Sequence, residues 1–337
     1  MTLDRIFVTG GLGFIGSAFI RLVLKERPAA RVVNLDAVTY AGNLANLREI
    51  DGDPRYRFVR GNICDPAAVR DAIGDGVDAI VNFAAETHVD RSILEPEAFL
   101  RTDILGTHVL LEAVRERGIR RYLQVSTDEV YGDVADGESS ESDALRPRSP
   151  YSASKAGGDL QVLAYLTTFA APVLITRGSN TYGPYQFPEK LIPLFVTNLI
   201  DDQPVPVYGD GLQIRDWLHV EDHARGILHV LECGDVGQVY NLGGGNPRTN
   251  LDITRRLVEA CGRTMETHVR HVEDRAGHDR RYAVNTDKAR ALGWQPHVPF
   301  ERGLHDTVRW YHDNESWWRP LRDAEFAAYY NRQYARR

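Results

Sequence analysis

Cysteine is scarce in this chain, with three residues among 337, at positions 64, 233 and 261. Their spacing contains no Cys-x-x-Cys pair, so neither a disulfide framework nor a zinc site is expected. Long apolar runs are lacking too. The most apolar late stretch, LIPLFVTNLI, is too short to span a bilayer, and MTLDRIFVTGG at the start carries no charged-then-apolar leader. These features predict a cytoplasmic protein without a membrane segment.

The chain also lacks a block of basic residues. Its 40 Lys and Arg residues stand against 47 Asp and Glu residues, which gives a net charge of −7 at pH 7. Nucleic acid is therefore not expected as a partner, and an anionic ligand would be bound by a few local cations. With 43% hydrophobic and 26% charged residues, the composition is that of a globular protein with a large core.

Short β-branched runs alternate with longer amphipathic segments in the first half of the chain. The predicted strands cover residues 5–10, 31–36, 55–62, 77–85, 120–127 and 171–178. The predicted helices cover residues 14–27, 66–73, 96–117 and 151–169, and Gly118 suits the C-terminal cap of the third. This alternation predicts an α/β fold with a doubly wound, parallel Rossmann-type sheet.

The alternation weakens after about residue 180, where prolines become frequent and the segments shorten. We expect residues 1–178 to form the sheet domain, with segments near 215–243 returning to it. Residues 179–337 are expected to form mainly a smaller, mixed α/β lobe that binds the substrate.

A glycine-rich turn joins the first predicted strand to the first helix. VTGGLGFIGS places Gly10, Gly13 and Gly16 where a pyrophosphate could approach backbone N–H groups at the positive end of a helix. Asp36 ends the second predicted strand, where a carboxylate would accept from both ribose hydroxyls. No arginine follows Asp36 in DAVTY that could bind a 2′-phosphate, so the pattern favours NAD over NADP.

The segment YSASK sets Tyr151 and Lys155 four residues apart at the start of a helix, on one face. A nearby ammonium favours the phenolate, which would let Tyr151 take a proton from a substrate alcohol. A strand ending in Ser126 and Thr127 precedes this pair. Together these features resemble the extended short-chain dehydrogenase/reductase family, whose catalytic set is Ser or Thr, Tyr and Lys.

Two adjacent carboxyl residues, Asp128 and Glu129, follow the same strand in VSTDEVYGD. Their spacing alone fits either the cap of a turn or an acid and a base. An epimerase needs only the hydroxyl, Tyr151 and Lys155. Oxidation of a sugar alcohol to a ketone acidifies the neighbouring C–H, so a carboxylate could remove that proton while a carboxylic acid expels a β-hydroxyl as water.

Nine segments over nearly the whole chain resemble, in order, the dTDP-glucose 4,6-dehydratase family. They are VTGGLGFIGS, DAVTYAGNLANL, NFAAETHVDRSI, STDEVYGD, YSASKAGGD, NTYGPYQFPEKLIPLF, VYGDGLQIRDWLHVEDHARGI, NLGGGN and DRAGHDRRYAVNTDKARALGW. The resemblance implies a homodimer that holds NAD⁺ tightly and acts on a nucleotide sugar. It implies hydride transfer from carbon 4, loss of water across carbons 5 and 6, and return of the hydride to carbon 6.

The resemblance also implies a role for each matching residue. Thr127 would orient the carbon-4 hydroxyl, and Tyr151 would act on it as the base beside Lys155. Glu129 would remove the carbon-5 proton, and Asp128 would protonate the leaving hydroxyl. The implied cofactor residues are Gly10, Gly13, Phe14, Ile15, Gly16, Asp36, Asn62, Ile63, Phe83, Ala84, Ala85, Asp103, Tyr151, Lys155 and Thr181. The implied substrate residues are Thr87, Thr127, Asn180, Glu189, Lys190, Leu191, Arg215, Asn250, Asp274, Arg275 and His278.

Three positions near the cofactor depart from the family pattern. Asn62 stands where the family has Asp, and its oxygen is expected to accept more weakly from the adenine amino group. Asp103 and Thr181 each stand where the family has Asn. These changes bear on cofactor affinity and on the partition of products.

Three other functions are compatible with parts of the pattern. In a nucleotide-sugar 4-epimerase, Asp128 and Glu129 would have no catalytic role. A 4,6-dehydratase acting on a UDP-sugar would differ in its contact with one methyl group, worth about 1 kcal/mol. A silent NAD-binding regulator is the non-enzymatic alternative, and the intact set of catalytic residue types argues against it.

Overall fold

The structure is a computed structural model that describes residues 3–334. The strands in chain order are β1 (Arg5–Thr9), β2 (Arg31–Asp36), β3 (Tyr56–Arg60), β4 (Ala79–Asn82), β5 (Arg121–Thr127), β6 (Val173–Gly178), β7 (Asn180–Tyr182), β8 (Val205–Tyr208), β9 (Ile214–His219), β10 (Val239–Leu242), β11 (Pro247–Thr249) and β12 (Val269–Val272).

The α-helices in chain order are α1 (Phe14–Glu26), α2 (Pro66–Ile73), α3 (Val89–Leu94), α4 (Pro96–Phe99), α5 (Thr107–Arg117), α6 (Pro150–Phe169), α7 (Leu191–Ile200), α8 (Val220–Cys233), α9 (Asn250–Ala260), α10 (Met265–His268), α11 (Asp287–Leu292), α12 (Phe300–Asp313), α13 (Glu315–Trp318) and α14 (Ala324–Tyr334). Short 3₁₀ turns cover Leu44–Ile50, Asp128–Tyr131 and Arg319–Leu321, and a π-helical segment covers Leu100–Gly106.

The predicted doubly wound sheet is confirmed. Within the described residues it has seven parallel strands in the order β10-β6-β5-β4-β1-β2-β3. One face is covered by α1 and α8, whose buried Val23 and Ile227 belong to one hydrophobic cluster. The other face is covered by α2, α5 and α6, which contribute Val69, Leu110 and Val162 to a second cluster. Burial on both faces explains why the sequence of each strand is a short, continuous run rich in β-branched residues.

The predicted helix over residues 96–117 is correct in extent but wrong in regularity. Its middle, Leu100–Gly106, is a π-helical segment between α4 and α5. Helix α6 packs closely here, since a Cβ on Gly158 would lie 2.8 Å from the carbonyl oxygen of Asp103. A π segment inserts extra backbone into a helix and is frequent at functional sites. The apolar spacing continues through it, so the periodicity did not reveal it.

The second half of the chain builds a smaller lobe with two small sheets. Strands β7, β9 and β11 form one, and β8 pairs with β12 in the other. A third hydrophobic cluster fills this lobe with residues of α7, α9 and α12. Strand β10 returns to the large sheet beside β6, while β9 stays in the small sheet. The domain boundary at residues 178–179 stays a prediction.

The carboxyl ends of the central strands lie together and face the smaller lobe. Thr9 at the end of β1 is in register with Asn82 of β4, and Thr127 of β5 is in register with Gly178 of β6. Ligands of open parallel sheets bind beyond this edge, where loops leave in opposite directions. No helix among residues 3–334 is long and apolar enough to cross a bilayer.

Candidate active site

Two adjoining cavities lie between the sheet edge and the smaller lobe. The first, of about 340 Å³, reaches from the glycine turn to the end of β5, and the second, of about 140 Å³, extends into the smaller lobe. The residues that line both are Glu129, Asn180, Glu189, Lys190, Leu191 and Trp217. Such a cleft suits an elongated ligand in each cavity, with the two ligands meeting near Glu129.

The glycine turn brings backbone close to backbone at the first cavity. Gly10 has a φ of +68°, and a Cβ there would lie 2.5 Å from the amide nitrogen of Ala84. A Cβ on Gly16 would lie 2.5 Å from the carbonyl oxygen of Gly10. Helix α1 begins at Phe14, so its N-terminal amides face an approaching anion. The predicted residues Gly10, Gly13, Phe14, Ile15, Gly16, Phe83, Ala84 and Ala85 all line this cavity.

Asp36 is held rigidly at the end of β2. Its Oδ1 accepts from the backbone N–H of Val38 at 2.8 Å, and its Oδ2 accepts from that of Leu12 at 2.9 Å. Burial raises the pKa of this carboxyl, and the two backbone hydrogen bonds oppose that rise. Each oxygen retains acceptor capacity, and Asp36 lines the first cavity as predicted.

Asn62 and Ile63 line the same cavity beyond β3. The Oδ1 of Asn62 accepts from the backbone N–H of Cys64 at 2.8 Å. The amide oxygen expected to accept from the adenine is therefore already shared, and the free part of the side chain is an N–H₂ donor. An aspartate would offer a second oxygen at this point, which gives a physical reason for weaker adenine binding.

Thr181 lies beside a histidine that the sequence analysis did not select. Its hydroxyl donates to the carbonyl oxygen of Ser179 at 3.1 Å and lies 2.7 Å from Nδ1 of His223. Burial lowers the pKa of His223 to about 4, so the imidazole is neutral. Both side chains line the first cavity. His223 lies inside a quoted motif, VEDHARG, but nothing in its spacing distinguished it.

Asp128 is a buried acid at the end of β5. Thr127 caps the 3₁₀ turn by accepting from the N–H of Glu129 at 3.2 Å, and its hydroxyl lies 3.2 Å from Oδ1 of Asp128. The Asp128 side chain is buried, and its Oδ2 has no hydrogen-bond partner in the part of the chain that the structure describes. Burial, and then the neighbouring Glu129, raise the pKa of Asp128 well above its ordinary value. Both causes favour the protonated carboxylic acid, which is the form that can donate a proton.

Glu129 has a different environment, although it is the next residue. It is only half-buried and lines both cavities. Lys190, Arg215 and Arg275 interact with it electrostatically, and the hydroxyl of Tyr282 lies 3.5 Å from its Oε2. Positive neighbours suit a charged carboxylate. The pair thus offers an acid and a base, as expected of two carboxyls whose environments differ.

Helix α6 presents Tyr151 and Lys155 to the cavity from one face. A reciprocal pair of hydrogen bonds between Ser149 and Ser152 caps its first turn. Lys155 donates from Nζ to the carbonyl oxygen of Val125 at 3.0 Å, which fixes α6 against β5. Burial raises the pKa of Tyr151 well above its ordinary value, and Glu129 and further carboxyls add to the rise. The direction is opposite to the one predicted from Lys155 alone, because burial and the neighbouring carboxyls dominate the environment of the phenol.

Cations surround the second cavity. Arg215 is fixed by the carbonyl oxygen of Asp279 at 2.9 Å, and its guanidinium lies 4.2 Å from the centre of the Tyr282 ring. Arg275 lies 3.5 Å from Asp90. Asn250, His278 and the N-terminus of α9 lie at the same cavity. This arrangement suits a diphosphate, since guanidinium groups and helix N-termini both favour phosphate oxygens.

Comparison with known proteins agrees with the geometry. Residues 7–307 match the family model described as GDP-mannose 4,6 dehydratase. The chain is 50% identical over 328 residues to the dTDP-glucose 4,6-dehydratase of Streptomyces niveus, covering 96% of this chain and 97% of the relative. This chain belongs to the dTDP-glucose 4,6-dehydratase family.

Solved structures include both a dehydratase and an epimerase of this fold. DesIV, the dTDP-glucose 4,6-dehydratase of Streptomyces venezuelae with NAD and TYD bound, has a TM-score of 0.91 and 51% identity, covering 94% of this chain and 99% of that one. UDP-glucose 4-epimerase of Thermus thermophilus, in complex with NAD, has a TM-score of 0.85 and 29% identity, covering 92% of this chain and 99% of that one. The sequence is therefore much nearer to the dehydratase.

In this member of the dTDP-glucose 4,6-dehydratase family, most predicted site residues line the two cavities. The remaining predicted residues that line a cavity are Thr87, Thr127, Asp128, Asn180, Glu189, Lys190 and Leu191. Glu189 pairs with Arg91 at 2.8 Å, and Lys190 donates to the carbonyl oxygen of Thr87. Lys190 thus lies deep, 6.0 Å from the centre of the Tyr151 ring.

Two predicted residues line neither cavity. Asp103 lies behind α6, and Asp274 accepts from Nδ1 of His278 at 2.6 Å and from Nε2 of Gln213 at 3.0 Å. Asp274 therefore orients His278. Burial, with the positive charge of Arg275, lowers the pKa of that histidine to about 4.

Several lining residues of this family member were not predicted from the sequence. They are Thr39, Ala41, Gly42, Glu86, Trp217 and His223 at the first cavity, and His88, Asp90, Tyr208, Trp217 and Tyr334 at the second. Tyr334 reaches the cavity from α14, near the end of the chain. No local pattern signals such a distant contribution.

Asp128→Asn is expected to increase the free energy of unfolding at neutral pH. The pKa of Asp128 is raised on folding above its ordinary 3.8, so the folded chain holds the proton more tightly than the unfolded chain. The free energy of unfolding of the parent therefore falls as the pH rises above about 4. The total fall is about 1.4 kcal/mol for each unit by which folding raises the pKa. The amide of the variant does not titrate, so its free energy of unfolding does not fall in this way. Urea unfolding of both proteins from pH 4 to pH 8 measures the difference.

The matched control is Asp71→Asn, which changes an exposed carboxyl of α2. Its stability is expected to follow the pH in the same way as the parent. A difference between Asp128→Asn and the parent that stays constant with pH would contradict a raised pKa of Asp128 in the folded chain.

Proposed function

We propose that this protein is an NAD-dependent dTDP-glucose 4,6-dehydratase. It converts dTDP-glucose to dTDP-4-keto-6-deoxyglucose and releases one water. The observation that carries this proposal is the pair of adjacent carboxyls beside Tyr151 in one cleft, where Asp128 is buried with a raised pKa and Glu129 faces cations. The similarity to dTDP-glucose 4,6-dehydratases at about half identity supports the same reaction.

The first cavity fits NAD. Backbone amides of the glycine turn and of α1 suit the pyrophosphate, and Asp36 offers acceptor oxygens to a ribose. The negative charge of Asp36 would repel a 2′-phosphate, which favours NAD over NADP. When bound, NAD⁺ supplies a hydride acceptor for carbon 4 and returns the hydride at carbon 6.

The side chains of this chain divide the proton transfers among them. Thr127 orients the carbon-4 hydroxyl, and Lys155 keeps α6 fixed. Tyr151 accepts the proton of that hydroxyl in its phenolate form, which burial disfavours in the protein without ligands. Glu129 takes the carbon-5 proton, which the adjacent ketone has made acidic. Asp128 gives its proton to the carbon-6 hydroxyl, which leaves as water. A base and an acid on adjacent residues can act on adjacent carbons.

The second cavity suits the nucleotide and its diphosphate. Arg215 and Arg275 would bind phosphate oxygens, and Asn250 lies at the N-terminus of α9. His278, fixed by Asp274, faces the same cavity. A thymine differs from a uracil here by one methyl group, so a UDP-sugar is the natural comparison in the assay.

The direct test is to incubate the purified protein with dTDP-glucose and no added cofactor. We expect a product lighter by one water, because bound NAD is regenerated in each cycle. UDP-glucose, analysed in parallel by mass spectrometry, is expected to react more slowly, by roughly 10-fold or less per lost methyl contact. A product of unchanged mass with inverted carbon 4 would instead identify an epimerase, and no product from either sugar would favour a silent NAD-binding protein.

Glu129→Gln is expected to separate oxidation from water loss. The variant retains Thr127, Tyr151 and Lys155, so dTDP-glucose still reduces the bound cofactor, but without the carboxylate base the release of water falls by about 100-fold or more. Absorbance of reduced nicotinamide in a single turnover, followed by mass analysis, measures both steps. Tyr151→Phe is the paired variant and is expected to stop before reduction. Full turnover by Glu129→Gln would exclude Glu129 from the elimination.

We also propose that the protein is a homodimer through α6 and the adjoining π segment. Leu160 on α6 is 56% exposed, and Leu100 and Leu105 on the π segment are exposed beside it. Ala153 and Ala164 share the exposed face of α6 with Leu160, which gives a smooth apolar surface. A second copy of this chain fits such a face. The cytoplasmic location stays a prediction.

Leu160→Glu is expected to convert the dimer to a monomer, because the charge would be buried in the interface. Light scattering after size-exclusion chromatography measures the mass. Leu44→Glu is the matched control, since Leu44 is 57% exposed on the 3₁₀ turn Leu44–Ile50 after β2, on the α1 side of the sheet, and the dimer is expected to persist. A monomeric parent, or an unchanged mass for Leu160→Glu, would exclude this interface.

A further inference from the structure

A buried asparagine connects the glycine turn with the smaller lobe. Asn46 is 2% exposed and lies on the 3₁₀ turn Leu44–Ile50. Its Nδ2 donates to the carbonyl oxygen of Leu12 at 2.8 Å, and its Oδ1 accepts from Nε1 of Trp317 at 3.0 Å. Trp317 belongs to α13 and packs against the hydrophobic cluster of the smaller lobe. One amide therefore joins two segments that lie at opposite ends of the chain.

Leu12 is the point at which this connection reaches the first cavity. Its N–H donates to Oδ2 of Asp36 at 2.9 Å, and its carbonyl oxygen also accepts from the N–H of Asn43 at 3.1 Å. Asp36 lines the first cavity, as do Gly10 and Gly13 on either side of Leu12. A displacement of Leu12 would therefore move the amides that suit a pyrophosphate together with the carboxylate that suits a ribose.

A cluster of aromatic rings fixes the indole of Trp317. Its ring centre lies 5.1 Å from that of Trp310 and 5.7 Å from that of Tyr185. Tyr185 has a φ of +69°, a conformation that a tyrosine keeps only where its surroundings impose it. The guanidinium of Arg21, on α1, lies 4.4 Å from the centre of the Tyr185 ring and donates to the carbonyl oxygen of Asn46 at 2.6 Å. The cluster thus contacts the sheet domain at two places, Asn46 and α1.

We propose that Asn46 and Trp317 are positioning residues for the cofactor, whose hydrogen bond fixes the glycine turn against the smaller lobe and slows the release of NAD. The inference rests on the proposed function for NAD as the ligand of the first cavity. Neither side chain lines a cavity, so both act through Leu12. Its consequence is that retention of the cofactor depends on a side chain of the smaller lobe.

The main test measures the exchange of bound NAD in the holoenzyme. Trp317→Phe keeps an aromatic ring but removes the indole N–H that Asn46 accepts. The purified holoenzyme is diluted into an excess of carbon-14-labelled NAD, and bound label is followed with time. The exchange rate is expected to rise by roughly 3-fold to 10-fold, the effect of one lost neutral hydrogen bond. An exchange rate equal to that of the parent would overturn the proposal.

Trp310→Phe is the matched control. It makes the same change in the neighbouring ring of the cluster and leaves the hydrogen bond between Trp317 and Asn46 in place. Its exchange rate is expected to stay at that of the parent. A rise equal to that in Trp317→Phe would assign the effect to ring packing and overturn the role of the hydrogen bond.

Asn46→Leu tests whether the two hydrogen bonds of Asn46 act as one connection. Leucine is similar in size, but it can neither donate to Leu12 nor accept from Trp317. Adding Trp317→Phe to Asn46→Leu is expected to leave the exchange rate unchanged, because the partner of the indole is already absent. Effects that multiply in the double variant would overturn the connection. Circular dichroism verifies the fold, and if Asn46→Leu does not fold, the two tryptophan variants decide the inference.

Hydrogen exchange of backbone amides gives a second readout that needs neither substrate nor turnover. Mass spectrometry of a peptide covering residues 8–16 follows the N–H groups of the glycine turn. In Trp317→Phe this peptide is expected to exchange faster, while peptides from β4 and β5 keep the rates of the parent. A uniform increase over all peptides would indicate a general loss of stability and overturn a local role.

The two readouts separate failure of this inference from failure of the proposed function. If the purified protein holds no NAD and binds none, the proposed function fails and the amide exchange alone decides the inference. Faster exchange of the glycine turn in Trp317→Phe, absent in Trp310→Phe, then supports the fixing of the turn by Trp317. Equal exchange in Trp317→Phe and the parent overturns it.

Discussion

The burial of one carboxyl at the end of a strand is the constraint on which the rest of the site depends. Strand β5 carries the chain to Thr127 inside the sheet, and the 3₁₀ turn that follows buries Asp128 and leaves Glu129 facing the cleft. Two identical functional groups on adjacent residues thereby differ in solvation and in charged neighbours. The backbone path therefore gives the two carboxyls the different environments that the proposed division into acid and base requires.

Helix α6 depends on the same strand. Lys155 binds the carbonyl oxygen of Val125 in β5, and deeper in the helix Asp159 pairs with Arg177 of β6 at 2.9 Å, with both side chains buried. A buried pair of this kind is costly to break and fixes the register of the helix on the sheet. Tyr151, one turn before Lys155, therefore has a defined position relative to Thr127 and Glu129. Catalysis by orientation requires this rigidity.

The sequence predicted what local patterns encode. β2 and α2 have the bounds expected from hydrophobic spacing, and the glycine turn lies where its spacing required. The π segment was not predicted, because apolar residues keep their helical spacing through it. The nucleotide end of the cleft was only partly foreseen, since His88, Tyr208 and Tyr334 converge from distant parts of the chain. The raised pKa of Tyr151 also needed the structure, because burial outweighs a neighbour that the sequence made obvious.

The departures from the family pattern at positions 62 and 103 have a common electrostatic sense. Compared with the pattern that the resemblance implies, Asn62 lacks a carboxylate at one end of the first cavity, and Asp103 has one behind α6. A buried carboxyl needs hydrogen-bond partners, and Ser154 on the helix packed against Asp103 supplies one. Ser154 lies between Tyr151 and Lys155, so a buried hydrogen bond joins the helix that carries both residues to the π segment.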